Sequence, residues 1–150
     1  MGLILNRPNG RIGAPEIASF LDISVEEIEN QDLVVHNGGP VDIARGFILH
    51  STEYDKGHES AVLPGCCLSL SMETLQDIAT GKGPKSYFLA LGYAGWGAGQ
   101  LEQEMTTHGW LLADATTSLI FSTPDELKWS QALASLGIDS NMLSANSGNA

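Results

Sequence analysis

The stretch 87–105, YFLALGYAGWGAGQLEQEM, changes its pattern twice within a few residues. Tyr87 to Leu91 is a short apolar run of strand formers, whereas Leu101 and Met105 recur at helical spacing. Between them lie Gly92, Gly95, Gly97 and Gly99. A buried strand, a glycine turn and a helix start are therefore predicted in one corner. Glycine at this density lets backbone come close to a packed neighbour or a ligand. A helix N-terminus behind glycines also presents free N–H groups to an anion. Here the spacing is neither that of a P-loop nor that of a dinucleotide fingerprint, no Lys follows, and Glu102 and Glu104 occupy the first turns. Tight packing of the loop on a sheet is the better reading. Tyr93 and Trp96 still offer amphipathic surface to a small neutral ligand or a partner's side chain.

Upstream of this corner the chain reads as short elements. Gly2 to Asn6 is a predicted strand, followed by a turn at Arg7-Pro8-Asn9-Gly10. A helix is predicted over 14–22 with Pro15 in its first turn, and a briefer one behind Ser24 and Glu27, which have capping-box spacing. Leu33 to Val35 and Gly46 to His50 read as strands, separated by the turn signal His36-Asn37-Gly38-Gly39-Pro40. Residues 51–58 form a polar surface loop. Beyond an apolar Ala61-Val62-Leu63, residues 66–71 alternate as a half-buried strand, and a helix follows over 72–80 with Ser71 as cap and Gly81 as stop.

Downstream, Trp110 to Ala113 and Ser118 to Phe121 read as two more strands. Thr123, Pro124 and Glu126 give a helix start with Thr123 at the cap, the helix running to Gly137, with one more turn over 139–144. About six strands and five helices in one domain over 1–150 predict an α+β fold, an α/β sandwich with a mixed, largely antiparallel sheet packed with helices. Several connections are too short for parallel crossovers throughout. Trp96, Trp110 and Trp129 are expected to be large packing anchors.

Composition narrows the function. The chain has 150 residues, 43% of them hydrophobic, enough for a core without metal or disulfide staples. Seven Lys plus Arg against eighteen Asp plus Glu give a net charge of −11, which argues against direct nucleic-acid binding. No signal-peptide pattern and no membrane-length apolar run is present, so a cytoplasmic location is the default expectation.

Candidate chemistry is sparse. His50, with Ser51, Glu53 and Asp55 close behind, is a conceivable general base with a carboxylate orienter. His36, His58 and His108 lack metal-ligand spacing and read as surface residues, so neither a metal nor a cofactor is expected. Cys66 and Cys67 are adjacent and would point to opposite faces of a strand, which suits buried or half-buried thiols rather than a disulfide. No Ser has the flanking glycines of a nucleophile elbow. The case for an enzyme is thin.

GLILNRP at 2–8, NGGPV at 37–41, GFILH at 46–50 and above all LGYAGWGAGQLEQE at 91–104 together resemble the bacterial YqgE/AlgH family, in order and over essentially the whole chain. The resemblance implies a compact α/β sandwich, no established enzymatic activity and a transcriptional-regulator label, which the charge argues against reading as direct DNA contact. Its signature positions fall on Asn6, Arg7 and Pro8; Gly38, Gly39 and Pro40; Arg45, Phe47 and His50; and Gly92, Tyr93, Gly95, Trp96, Gly99, Gln100 and Glu102. A shallow cleft built from these residues is expected to engage a protein partner or a small ligand. The alternative is an enzyme using His50 with a nearby acid, or Arg7 as an anion clamp. Family chains carry further strands ahead of the Gly-Leu-Ile-Leu-Asn-Arg-Pro segment. A chain starting there is expected to leave a sheet edge open to self-association.

Overall fold

The computed structural model describes residues 1–57 and 59–144. Six strands form one sheet: β1 (Pro8–Gly13), β2 (Asp32–Asn37), β3 (Val41–Ser51), β4 (Ser60–Leu63), β5 (Cys66–Ser69) and β6 (Tyr87–Tyr93). The helices are α1 (Ala14–Leu21), α2 (Met72–Ala79), α3 (Gln100–Thr106), α4 (Asp125–Ser135) and α5 (Ser140–Ser144). Strand order is β1-β2-β6-β3-β5-β4. Only β2 and β6 run parallel; the other neighbours are antiparallel. The predicted mixed, largely antiparallel α+β fold is thus present. Among the described residues no helix is long and apolar enough to cross a membrane.

Both sheet faces are covered, which is why β6 and the second half of β3 are apolar on consecutive residues rather than alternately. On one face, Ile48, Leu33 and Leu89 pack against Ile17 and Ala18 of α1 and Ile78 and Ala79 of α2. On the other, Phe47, Leu49, Phe88, Ala90 and Cys66 meet Ile120 and the N-terminal Leu3 and Leu5. Cys66 and Cys67 are free thiols, and burial pushes that of Cys66 up. Ser71 caps α2 by accepting the Glu73 N–H at 3.1 Å, and Gly81 leaves it with φ +72°, as predicted for a helix stop.

Several expectations are corrected. Gly2 to Asn6 makes one isolated bridge, Gly2 with Ala94, instead of a strand. Its other backbone bonds pass between Ile4 N and Gly38 O and between Arg7 O and Asn37 N. The predicted turn at 7–10 lies mostly within β1, where Pro8 is tolerated because the strand is at the sheet edge. Trp110 to Ala113 is exposed and irregular, and Ser118–Ser122 is a π-helical turn. Short apolar runs do not distinguish strand from helix by period, and Ile120 reaches the core equally well from a helical turn. Thr123 is not the cap of α4. Its hydroxyl donates to Ser118 O, and Pro124 occupies the cap position without a side-chain bond. Trp110 and Trp129 are 48% and 52% exposed, so neither is a core anchor. The reading of His58 lies outside the described residues.

Candidate functional site

The glycine corner is built as predicted, with β6 entering and α3 leaving behind Gly99, which takes φ +75° at the helix cap. Its glycines divide by what surrounds them. Gly38 and Gly39, on the connection from β2 to β3, cross the backbone of Gly92 and Tyr93 at the end of β6. A Cβ on Gly38 would collide with Gly92 O, and one on Gly39 with Tyr93 C and Ala94 N. On Gly92 it would stand 2.5 Å from Gly39 O. Gly38 N also donates to Leu91 O at 2.8 Å, and the Asn37 side chain accepts from Gly39 N at 3.1 Å. These three glycines interlock two backbones, and the space a ligand would need is filled by the chain itself. Around Gly97 there is room, the nearest atom to an added Cβ being Gln100 Oε1 at 3.7 Å.

Beyond the interlock, Glu104 organises the loop. Its carboxylate accepts Trp110 Nε1–H at 2.7 Å, Trp96 Nε1–H at 3.1 Å and Gln100 Nε2–H at 2.9 Å, while Gln100 Oε1 accepts Gly97 N–H at 2.9 Å. The two indoles meet edge to face with centroids 5.7 Å apart. Bonds from Trp110, Gln100 and Trp96 hold the Glu104 carboxyl below its ordinary 4.5. A depressed folded value contributes stability that is complete above the unfolded value and is lost as pH falls through the folded one. Tryptophan fluorescence of the wild type is therefore expected to change between pH 4.5 and a lower acid midpoint, and the step to vanish in Glu104→Gln. An unchanged acid titration in that variant would show that the carboxylate is not the hub.

The remaining candidate residues do not share one cleft. Tyr93 packs against Phe47, and Gly95 lies beside the Tyr93 ring. Asn6, Arg7, Pro40 and Glu102 are exposed. His50 pairs with Tyr87 and Tyr93 with Val41, so His50 stands six residues along β6 from the glycine corner, roughly 20 Å at about 3.3 Å per residue. It is wholly buried. Its Nδ1 donates to Ser51 O at 3.0 Å, and its ring meets Tyr54 edge to face. Glu53 instead accepts from the Ser51 hydroxyl and Lys85 N, and Asp55 from Gly57 N. Neither acid orients the imidazole. Arg7, His50 and Gln100 do not converge.

Two features escaped the sequence reading. The first is His36, which is buried, not on the surface. Its ring stacks on Phe88, Nδ1 donates to Leu89 O and Nε2 lies 3.0 Å from Asp125 Oδ2. Lys128, equally buried, donates to Asp125 Oδ1 and to Leu5 O, both at 2.8 Å, and lies over the Phe88 ring. The second is an apolar groove of about 450 Å³ on the α1/α2 face. Val35, Ile48, Leu89 and Leu91 line it from the sheet, Phe20 from α1 and Leu75 from α2. Apolar periodicity assigned these side chains to the core, but two short helices leave that part of the sheet open. Of the signature positions, Arg45 and Phe47 line it.

A family model described as AlgH-like matches residues 1–141. A UPF0301 protein of Jannaschia sp. is 46% identical over 152 residues, a match covering 100% of this chain and 79% of the relative. One from Rhodopseudomonas palustris is also 46% identical, over 160 residues, covering 100% and 72%. Among solved structures, the solution structure of the AlgH protein from Pseudomonas aeruginosa is similar with a TM-score of 0.75 at 36% identity, over 100% of this chain and 79% of that one.

Proposed function

The chain belongs to the AlgH-like family, and from that premise we propose that it is a non-catalytic binding module whose ligand site is the groove between α1 and α2. One observation carries the reading: a concavity of about 450 Å³ lined mostly by aliphatic and aromatic side chains, with Ser71 and Arg45 the polar ones among the described residues. Binding sites for small ligands are of this size and this apolar character. A catalytic site needs a titratable group facing the reacting atoms. Arg45 is the charged side chain among the described lining residues, its guanidinium 5.7 Å from the centroid of the Phe47 ring, and a guanidinium is not a titratable group in a protein. An enzyme built on His50, or on Arg7 as a clamp, lacks a converging partner in this geometry. The glycine corner then serves the module as its structural interlock.

A neutral solvatochromic dye tests this. Saturable binding at one site is expected, weakened at least tenfold by Met72→Glu, which places a charge at the rim, and unchanged by Trp110→Ala on the glycine corner. Tenfold corresponds to about 1.4 kcal/mol. Loss in Trp110→Ala with retention in Met72→Glu would return the site to the glycine corner.

A further inference from the structure

We infer that Asn9 is a site of covalent self-modification, where the folded chain deamidates through a succinimide and acquires an isoaspartyl linkage in its edge strand. The sequence holds two Asn-Gly steps, Asn9-Gly10 and Asn37-Gly38. The fold fastens only the second. In this reaction the backbone nitrogen of the following residue loses its proton to hydroxide and attacks the asparagine Cγ. A bond forms between that nitrogen and Cγ, the bond from Cγ to Nδ2 breaks, and Nδ2 takes a proton from water and leaves as ammonia. Water then opens the five-membered ring at either carbonyl. One opening gives aspartate. The other leaves the chain running through Cγ, one methylene longer, with the α-carboxylate free. Glycine favours the closure because no Cβ stands in the approach.

At Asn9 the approach is open. Asn9 and Gly10 are both exposed, and β1 has a neighbouring strand on one side only. The register with β2 shifts between Pro8 and Gly10, so the ladder passes over Asn9. Nothing lies within 4 Å of the place a Gly10 Cβ would take. The Asn9 carboxamide has no hydrogen-bond partner among the described residues. At Asn37 the same dipeptide is held at both ends of the reacting pair. Gly38 is buried and its N–H donates to Leu91 O at 2.8 Å, while the Asn37 carboxamide oxygen accepts Gly39 N–H at 3.1 Å. Gly38 also lies against Gly92 O, so releasing its nitrogen means opening the corner where two backbones cross. Attack there waits on that opening, whereas attack at Asn9 does not.

Peptide mapping by mass spectrometry of the full chain, aged folded in warm, mildly alkaline buffer, reads both sites, and electron-transfer fragmentation separates isoaspartate from aspartate. Conversion at Asn9 is expected to rise in proportion to hydroxide and to run at least about tenfold faster than at Asn37, the factor that an opening cost of about 1.4 kcal/mol imposes. In urea the two sites are expected to convert at comparable rates. Hydrogen exchange in the aged chain is expected to rise in β1 ahead of β3. Asn9→Gln has a longer arm that closes the ring poorly and leaves the backbone unchanged, so it is expected to keep β1 protected through the same ageing. Equal conversion of Asn9 and Asn37 in the folded chain would overturn the inference. So would an Asn9 that converts in urea but not when folded, since β1 would then hold its own step closed. A rise in β1 exchange that persists in Asn9→Gln would assign the opening to another residue and remove the role given to this one.

Discussion

Gly39→Ala is expected to lower the folding free energy by more than about 4 kcal/mol, the range of the severest single substitutions, and to leave little folded protein at ambient temperature. The new methyl would fall on Tyr93 C and Ala94 N, which are backbone atoms of the central strand's end, not the tip of a side chain that could turn aside. β6 is hydrogen-bonded on both sides, to β2 and to β3, so it cannot retreat without breaking a ladder. Gly39 is also held at φ +152°, a conformation that L side chains rarely adopt. Gly92→Ala is expected to behave alike, with φ +72° and Gly39 O in the way.

The contrast is Gly97→Ala in the same loop, which meets only Gln100 Oε1 at ordinary contact distance. Its stability is expected within about 0.5 kcal/mol of wild type, as for a surface substitution. Urea unfolding followed by circular dichroism measures all three. Equal cost at Gly39 and Gly97 would mean that glycine is needed along the loop for some reason other than the crossing.

These glycines also mark how far a sequence can be read. The change of period across 87–105 is local, and both the strand and the helix it predicts are present. His36-Asn37-Gly38-Gly39-Pro40 was legible as a turn for the same reason. What the turn packs against was not, because Gly38 meets Gly92 only after β3, β4, β5 and α2 have been laid down between them. The same limit hid His36, whose carboxylate is 89 residues away. It also hid the groove, since a run such as Phe88-Leu89-Ala90-Leu91 shows that a strand is buried on both faces but not that its covering helices are short. Trp110 to Ala113 failed differently. Its composition suits a strand, but no neighbouring strand takes it up among the described residues, and β-propensity acts through such neighbours.

Asp125→Ala is expected to cost about 3–5 kcal/mol, because it strands the buried Lys128 ammonium and a buried His36 ring nitrogen rather than deleting one contact. Both ring nitrogens of His36 face oxygen, Leu89 O on one side and Asp125 on the other. Lys128 brings its positive charge to the same carboxylate, and both side chains are buried against Phe88. Desolvation works against ionised Asp125, yet hydrogen bonds from Lys128 and His36 hold its carboxyl below the ordinary 3.8. The sign follows. A carboxyl depressed on folding contributes stability that is complete above its unfolded value and is lost as pH falls through the folded one. Wild-type stability should therefore drop more steeply below about pH 4 than that of Asp125→Asn. The cluster also ties Leu5 and α4 to the sheet, so Asp125→Ala should raise hydrogen exchange at the N-terminal segment and in α4 before it does so in β3. A replacement of all three, His36→Phe with Asp125→Leu and Lys128→Met, removes charge and counter-charge together and is expected to recover most of the lost stability. Recovery failing in the triple variant, while Asp125→Ala alone proves mild, would show that packing on Phe88 holds this corner and the charges do not.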